Sequence, residues 1–208
     1  MTSPGPASTD GDLLVLHALR CCGHTGTARL AAATGMDESA VESELIDLAV
    51  AGLVTYESGA FSAWGLTDAG RVAAGERVTA QLQAAGARAA VAGAYERFMA
   101  LNPELLDLCT AWQLRPVDGV TTVNDHGDPA YDARVLGRFR DLDRRAAAVC
   151  ADLAAVVSRF GLYRERLSDA LSRADSGQLE YVADHIASYH TVWAELHEDL
   201  LATLGIPR

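Results

Sequence analysis

The chain has 208 residues, half of them apolar and only 6% aromatic, and 28 acidic residues outnumber its 17 basic ones to give a net charge of −11. That charge opposes long-range attraction to polyanions and anionic membranes, so any nucleic-acid contact must come from a local basic patch. No apolar run approaches the roughly 20 residues of a membrane span. Abundant alanine with few aromatics predicts a mainly all-α protein of closely packed helices.

In chain order, residues 1–10 are rich in Pro, Ser, Gly and Thr and lack the charged-then-apolar pattern of a secretion signal, which predicts a disordered tail. A short helix follows to Cys22, with Leu13, Leu16, His17 and Leu19 on one side and Gly23 closing it. Thr25 to Thr34 predicts a second helix, and Gly35 stops it where a left-handed residue is wanted. Asp37 then caps a third helix whose inward stripe is Val41, Leu45, Leu48 and Ala49. Leu53 to Tyr56 alternates as a strand, Ser58-Gly59 turns, and Phe61 to Leu66 returns to make a two-stranded hairpin. Thr67 caps the next helix, with Asp68 favourably placed at its positive end. Cys21, Cys22, Cys109 and Cys150 show no C-x-x-C spacing. Reduced, buried thiols are the expectation, with a redox sensor as the alternative.

Three segments, Leu30-Ala-Ala-Ala-Thr-Gly-Met-Asp-Glu-Ser-Ala-Val, Ala51-Gly-Leu-Val and Leu66-Thr-Asp-Ala-Gly-Arg, give Asp12 to Arg77 its likeness. This stretch resembles the MarR-like winged helix-turn-helix regulators of bacteria. The resemblance implies a homodimer that binds double-stranded DNA, with the second helix of the motif in the major groove and the hairpin near the minor groove. It also implies response to a small-molecule effector. On this sequence the expected DNA contacts are Arg29, Ser39, Ser43 and Arg71, because serines can bond phosphates or bases and arginines neutralise phosphate. The residues themselves oppose that expectation. The third helix carries Glu42, Glu44 and Asp47 and no basic residue, and no Arg lies between Glu57 and Phe61 at the wing tip.

Beyond residue 75 the pattern predicts a helical bundle. A long linker or dimerisation helix is expected over 76–101, a second helix begins at Asn102-Pro103 and runs to Leu114, and a loop occupies 115–129. Further helices are expected over 130–160, 163–174 and 178–204. The domains on this reading are a tail (1–10), a winged-helix domain (11–75) and a bundle (76–208) whose residues 102–208 sense a ligand or bind a partner. Tyr189-His-Thr-Val-Trp193 and Leu196-His-Glu-Asp-Leu200 are similar to tails of actinobacterial winged-helix regulators, a likeness that carries no chemistry with it.

Candidate ligand contacts in the bundle are Trp112, Arg115, Asp125, His126, Tyr189, His190, Trp193 and His197: aromatic walls with polar tips, an anion partner, and imidazoles that titrate near neutrality. His190 and His197 stand seven residues, about 10.5 Å, apart along a helix, so one metal cannot take both. No His-Glu-x-x-His occurs, so neither a metal nor a cofactor is expected. No Ser-His-Asp order, Gly-rich phosphate loop or Cys-His nucleophile pair stands out, which gives an enzyme little support. The favoured function is a cytoplasmic, ligand-responsive, DNA-binding transcriptional regulator acting as a homodimer, without membrane contact. The alternative is a winged-helix-derived module that has left DNA and binds a small molecule or a partner, or an enzyme using a histidine-lined pocket.

Overall fold

A computed structural model describes residues 6, 7, 9–59 and 62–207. Helix accounts for 71% of the described residues. The elements are α1 (Gly11–Cys22), α2 (Thr27–Thr34), α3 (Glu38–Val50), β1 (Val54–Glu57), β2 (Ala63–Leu66), α4 (Asp68–Ala84), α5 (Arg88–Gln113), β3 (Leu114–Val117), β4 (Val120–Val123), α6 (Pro129–Val156), α7 (Gly161–Asp175) and α8 (Tyr189–Leu204). Among the described residues no helix is long and apolar enough to cross a membrane.

The chain divides into two compact units that are discontinuous in sequence: residues 1–92, 153–162 and 195–208, and residues 93–152 and 163–194. Residue 76 lies inside α4.

In the first unit, Val15, Leu16 and Leu19 of α1 pack with Leu30, Val41, Leu45, Leu48, Val54, Leu66 and Ala74 into one core. Gly35 ends α2 in the left-handed conformation (φ 71°, ψ 11°), with its amide on Ala31 O. β1 and β2 pair antiparallel from Val54↔Leu66 to Glu57↔Ala63, and Thr25 adds a bridge to Trp64. Of the return strand expected from Phe61, Phe61 and Ala60 lie outside the described residues. Of the expected tail, residues 1–5 and 8 also lie outside them, whereas Ala7 is held: its amide donates to Val156 O at 3.1 Å, and Ser158 N donates to its carbonyl at 3.1 Å.

Several expected elements need correction. The helix over 76–101 is two helices, because Gly86 adopts φ 61° and interrupts what side-chain periodicity shows as continuous. Asn102-Pro103 starts no helix, since α5 runs through Pro103. The loop over 115–129 contains the hairpin β3–β4, closed by Asp118 (φ 51°) and Gly119 (φ 81°), two consecutive positive-φ residues as a type I′ turn requires. The last helix begins only at Tyr189, where the Ser188 hydroxyl accepts from Thr191 N at 3.2 Å and caps it.

The second unit is built on aromatic packing. Phe98 stacks on Trp193 at 4.5 Å, Tyr189 stacks on Trp193 at 6.2 Å, and Phe139 meets Tyr189 edge-on at 5.7 Å.

Candidate functional site

The outward face of α3 is exposed at Ser39, Glu42, Ser43, Ile46 and Asp47, and Val50 at its end is 85% exposed. Ser43 Oγ donates to Ser39 O at 3.0 Å, a local bond that water or a phosphate can replace. The two arginines differ. Arg71 lies at the surface, with Nη2 2.5 Å from Asp68 Oδ1 and Nη1 3.0 Å from Leu66 O. Arg29 is largely buried in an ion pair with Glu195, a carboxylate 166 residues away that sequence spacing cannot reveal. An exposed i,i+3 pair is worth about 0–1 kcal/mol and exchanges readily for another anion, so Arg71 remains available; the buried pair of Arg29 does not.

The first unit also holds a buried polar cluster that the sequence does not reveal. His17 Nε2 on α1 lies 2.9 Å from Asp199 Oδ1 on α8, and Cys21 Sγ, one turn after His17, lies 3.6 Å from the same Nε2. Arg159 Nη2 contacts Asp199 Oδ1 at 3.1 Å and Thr203 Oγ1 at 2.5 Å, while Nη1 contacts Gln81 Oε1 at 2.7 Å. Thr203 Oγ1 also donates to Asp199 Oδ1 at 2.8 Å. The only trace in sequence was His17 on an otherwise apolar stripe.

The chemistry open to this cluster is narrow. Because a carboxylate only accepts, His17 Nε2 must donate to Asp199, so it cannot also take the Cys21 proton. The contact is not an activated nucleophile pair. Burial, reinforced by the Asp199 carboxylate, pushes the Cys21 thiol well above its usual value. Ligand atoms of His17, Cys21 and Asp199 lie within 4.8 Å of one another, close enough to converge on a metal ion. The donor set fits one poorly: Asp199 Oδ1 already accepts from three donors, and a cation would sit against the Arg159 guanidinium.

Burial also raises Cys109 and Cys150, each to about 11. At pH 8 such thiols are roughly one part in a thousand thiolate. Native protein given a short maleimide pulse at pH 8 is therefore expected to leave Cys109 and Cys150 unmodified, while denatured protein labels at all four cysteines. Labelling of either of these two at the denatured rate would contradict their burial, and intact-mass spectrometry reads the result.

In the second unit the structure brings together four of the expected ligand residues. Trp112 and His126 rings meet at 4.7 Å, and Arg115 Nη2 pairs with Asp125 Oδ1 at 2.8 Å. Asn124 organises the knot: its Nδ2 donates to Trp112 O at 3.0 Å and Asp132 Oδ1 at 2.8 Å, and its Oδ1 accepts from His126 N at 3.2 Å. Asp132 Oδ2 lies 3.0 Å from His126 Nδ1, which makes Nδ1 the protonated nitrogen and leaves Nε2 as an acceptor or base. His126 holds φ 56°, a conformation uncommon outside glycine. Asp128 Oδ1 accepts from Ala130 N and Tyr131 N and starts α6. Among the described residues the buried Trp112 Nε1 and Arg115 Nε have no hydrogen-bond partner. The Asp125 carboxyl is held below its usual range by the Gly127 amide and then by Arg115.

Tyr189 and Trp193 belong to the aromatic core instead. Tyr189 Oη donates to Asp143 Oδ1 at 3.1 Å, Arg164 grips both Asp143 oxygens at 2.6 and 2.8 Å, and Trp193 Nε1 donates to Asn102 Oδ1 at 3.0 Å. His190 is half-buried near the start of α8, and His197 falls in the first unit. A groove of about 760 Å³ in the second unit is lined by Arg134, Arg138, Arg140 and Arg144 with Asp141 and Asp143. Its signal in sequence was the i,i+4 spacing of arginines along α6, unremarkable in a chain whose basic residues are all arginine.

Compared with protein-family models, curated proteins and solved structures, the chain has no match.

Proposed function

We propose that the chain is a winged-helix transcriptional regulator that acts in the cytoplasm as a homodimer and answers to a small anionic effector. The observation that carries this reading is the run α2, left-handed Gly35, α3, the β1–β2 hairpin and the Thr67-capped α4 around one core, which leaves the outer face of α3 open. On this reading Ser39 and Ser43 face base edges or phosphates, Arg71 leaves Asp68 for a phosphate, and Arg29 stays with Glu195 as a structural residue. Glu42 accepts from the cytosine amino group, the base contact open to a carboxylate. The effector is assigned to the arginine-lined groove on α6, whose size suits a small ligand.

A second reading is favoured by one observation: the exposed face of α3 joins acidic groups to the bare apolar side chains of Ile46 and Val50. That combination suits a basic, partly apolar protein surface. Selection from a random duplex library at about 20 mM salt separates the two. The regulator reading expects an enriched motif whose binding falls steeply with salt, with a slope about one unit shallower in Arg71→Ala. Failure to enrich any duplex overturns it and leaves the protein-partner reading.

A further inference from the structure

The hairpin β3–β4 has two outer edges, and only one of them is protected. Asn124 N donates to Gln113 O at 2.8 Å, so the 113/124 pair is hydrogen-bonded, and alternation along the register makes 115/122 and 117/120 hydrogen-bonded as well. The pairs 114/123 and 116/121 are then the non-bonded ones, whose backbone groups point away from the hairpin. On β3 the outward positions are Leu114, whose carbonyl already accepts from Tyr131 Oη at 3.1 Å, and Pro116, which has no amide to offer and blocks the edge.

On β4 the outward positions are Thr121 and Val123, and their amides donate to no group among the described residues. The strand is Val-Thr-Thr-Val, β-branched throughout and uncharged, with every residue exposed; Val120 is 62% and Val123 76% open to solvent. A two-stranded hairpin with nothing on its open side is marginal in water. Among the described residues, none of the usual protective devices, such as a charge, a proline, a bulge or a covering element, is present on this side.

We propose that β4 pairs antiparallel with β4 of a second copy of this chain, making a four-stranded sheet across a two-fold axis at Thr122. The register follows from the outward groups. Thr121 faces Val123 of the other copy and Val123 faces Thr121, each pair exchanging both N–H···O bonds, while the two Thr122 side chains meet at the axis. No like charges are opposed. The second copy is the occupant because the edge is complementary to itself in this register, and because Pro116 leaves each copy a single open edge. Pairing therefore closes at two and cannot propagate into a fibre. This dimer does not depend on DNA binding: a homodimer held by another surface would leave that reading standing, whereas a monomeric wild type would remove its homodimer as well.

Analytical ultracentrifugation of the full chain with Thr121→Pro tests the proposal. The substitution removes an outward amide and leaves the internal hairpin bonds untouched. Wild type is expected to be dimeric at tens of micromolar, and Thr121→Pro to weaken the dimer roughly tenfold or more. Thr122→Lys and Thr122→Glu should each be monomeric and should recover a dimer when mixed, a pattern specific to the Thr122 axis. Amide exchange should show Thr121 and Val123 protected at high protein concentration and open at low. A monomeric wild type, or a dimer indifferent to Thr121→Pro with those amides unprotected, overturns the proposal.

Discussion

Arg159→Ala is expected to lower the unfolding free energy of the first unit by about 3–5 kcal/mol and to raise the pH at which that unit unfolds in acid. Arg159 and Asp199 are 5% and 1% exposed, so neither charge has water to fall back on. Burial by itself would raise the Asp199 carboxyl, but the nearby Arg159 guanidinium and His17 outweigh it and hold the group well below the usual carboxylate range. Because the folded value lies below the unfolded one of about 3.9, the contribution is complete above pH 4 and is lost as pH falls below it. Without Arg159 the burial cost is opposed by far less, so the loss begins at higher pH. Arg159→Lys should fall between, since an ammonium keeps the charge but not the fork that reaches Asp199, Thr203 and Gln81 together. Urea unfolding followed by circular dichroism between pH 3 and 7 measures both effects. A change under 1 kcal/mol with an unmoved acid midpoint would show that the cluster does not hold the unit together.

The same cluster marks where sequence reasoning stops. Local signals were legible because their causes are local: Gly35 is left-handed where a helix must end, and Thr67 accepts from Gly70 N at 3.0 Å as a capping residue should. The partners of His17 and Arg29 were not legible, because Asp199 and Glu195 arrive from the far end of the chain and carry no periodicity that points back. The break at Gly86 is not legible either, since the apolar repeat continues on both sides of it. The β3–β4 hairpin was hidden for a different reason: its strands are four residues long, one contains a proline, and neither buries a face, so no alternation of burial shapes the sequence. Of the candidate ligand residues, Trp112, Arg115, Asp125 and His126 do cluster. Tyr189 and Trp193 were chosen for aromatic character, a property that a core demands as strongly as a pocket.

Gly70→Ala and Gly75→Ala, two glycines five residues apart in α4, are expected to move stability in opposite directions. At Gly70 a Cβ would lie 1.9 Å from Leu53 O and 2.9 Å from its carbon, far inside contact distance with backbone. That carbonyl cannot retreat, because it accepts from Thr67 N at 3.0 Å and Thr67 Oγ1 at 3.1 Å. The start of α4 must shift instead, at a cost of about 2–4 kcal/mol, the upper range of overpacking, since the obstacle is main chain. At Gly75 a Cβ meets only the Arg20 guanidinium, with Nη1 at 2.9 Å, the far end of a flexible side chain that can swing aside by giving up its long, exposed bond to Arg71 O at 3.4 Å. Alanine there gains up to about 1 kcal/mol of helix propensity. Denaturant unfolding of the two variants checks the contrast, and equal effects would mean that α4 does not depend on its close approach to Leu53. Leu53 immediately precedes β1, so the approach also fixes the base of the hairpin relative to α4. A Gly70→Ala protein that still folds should therefore show its largest amide-exchange increase at Val54–Glu57, whereas Gly75→Ala should leave that strand unchanged.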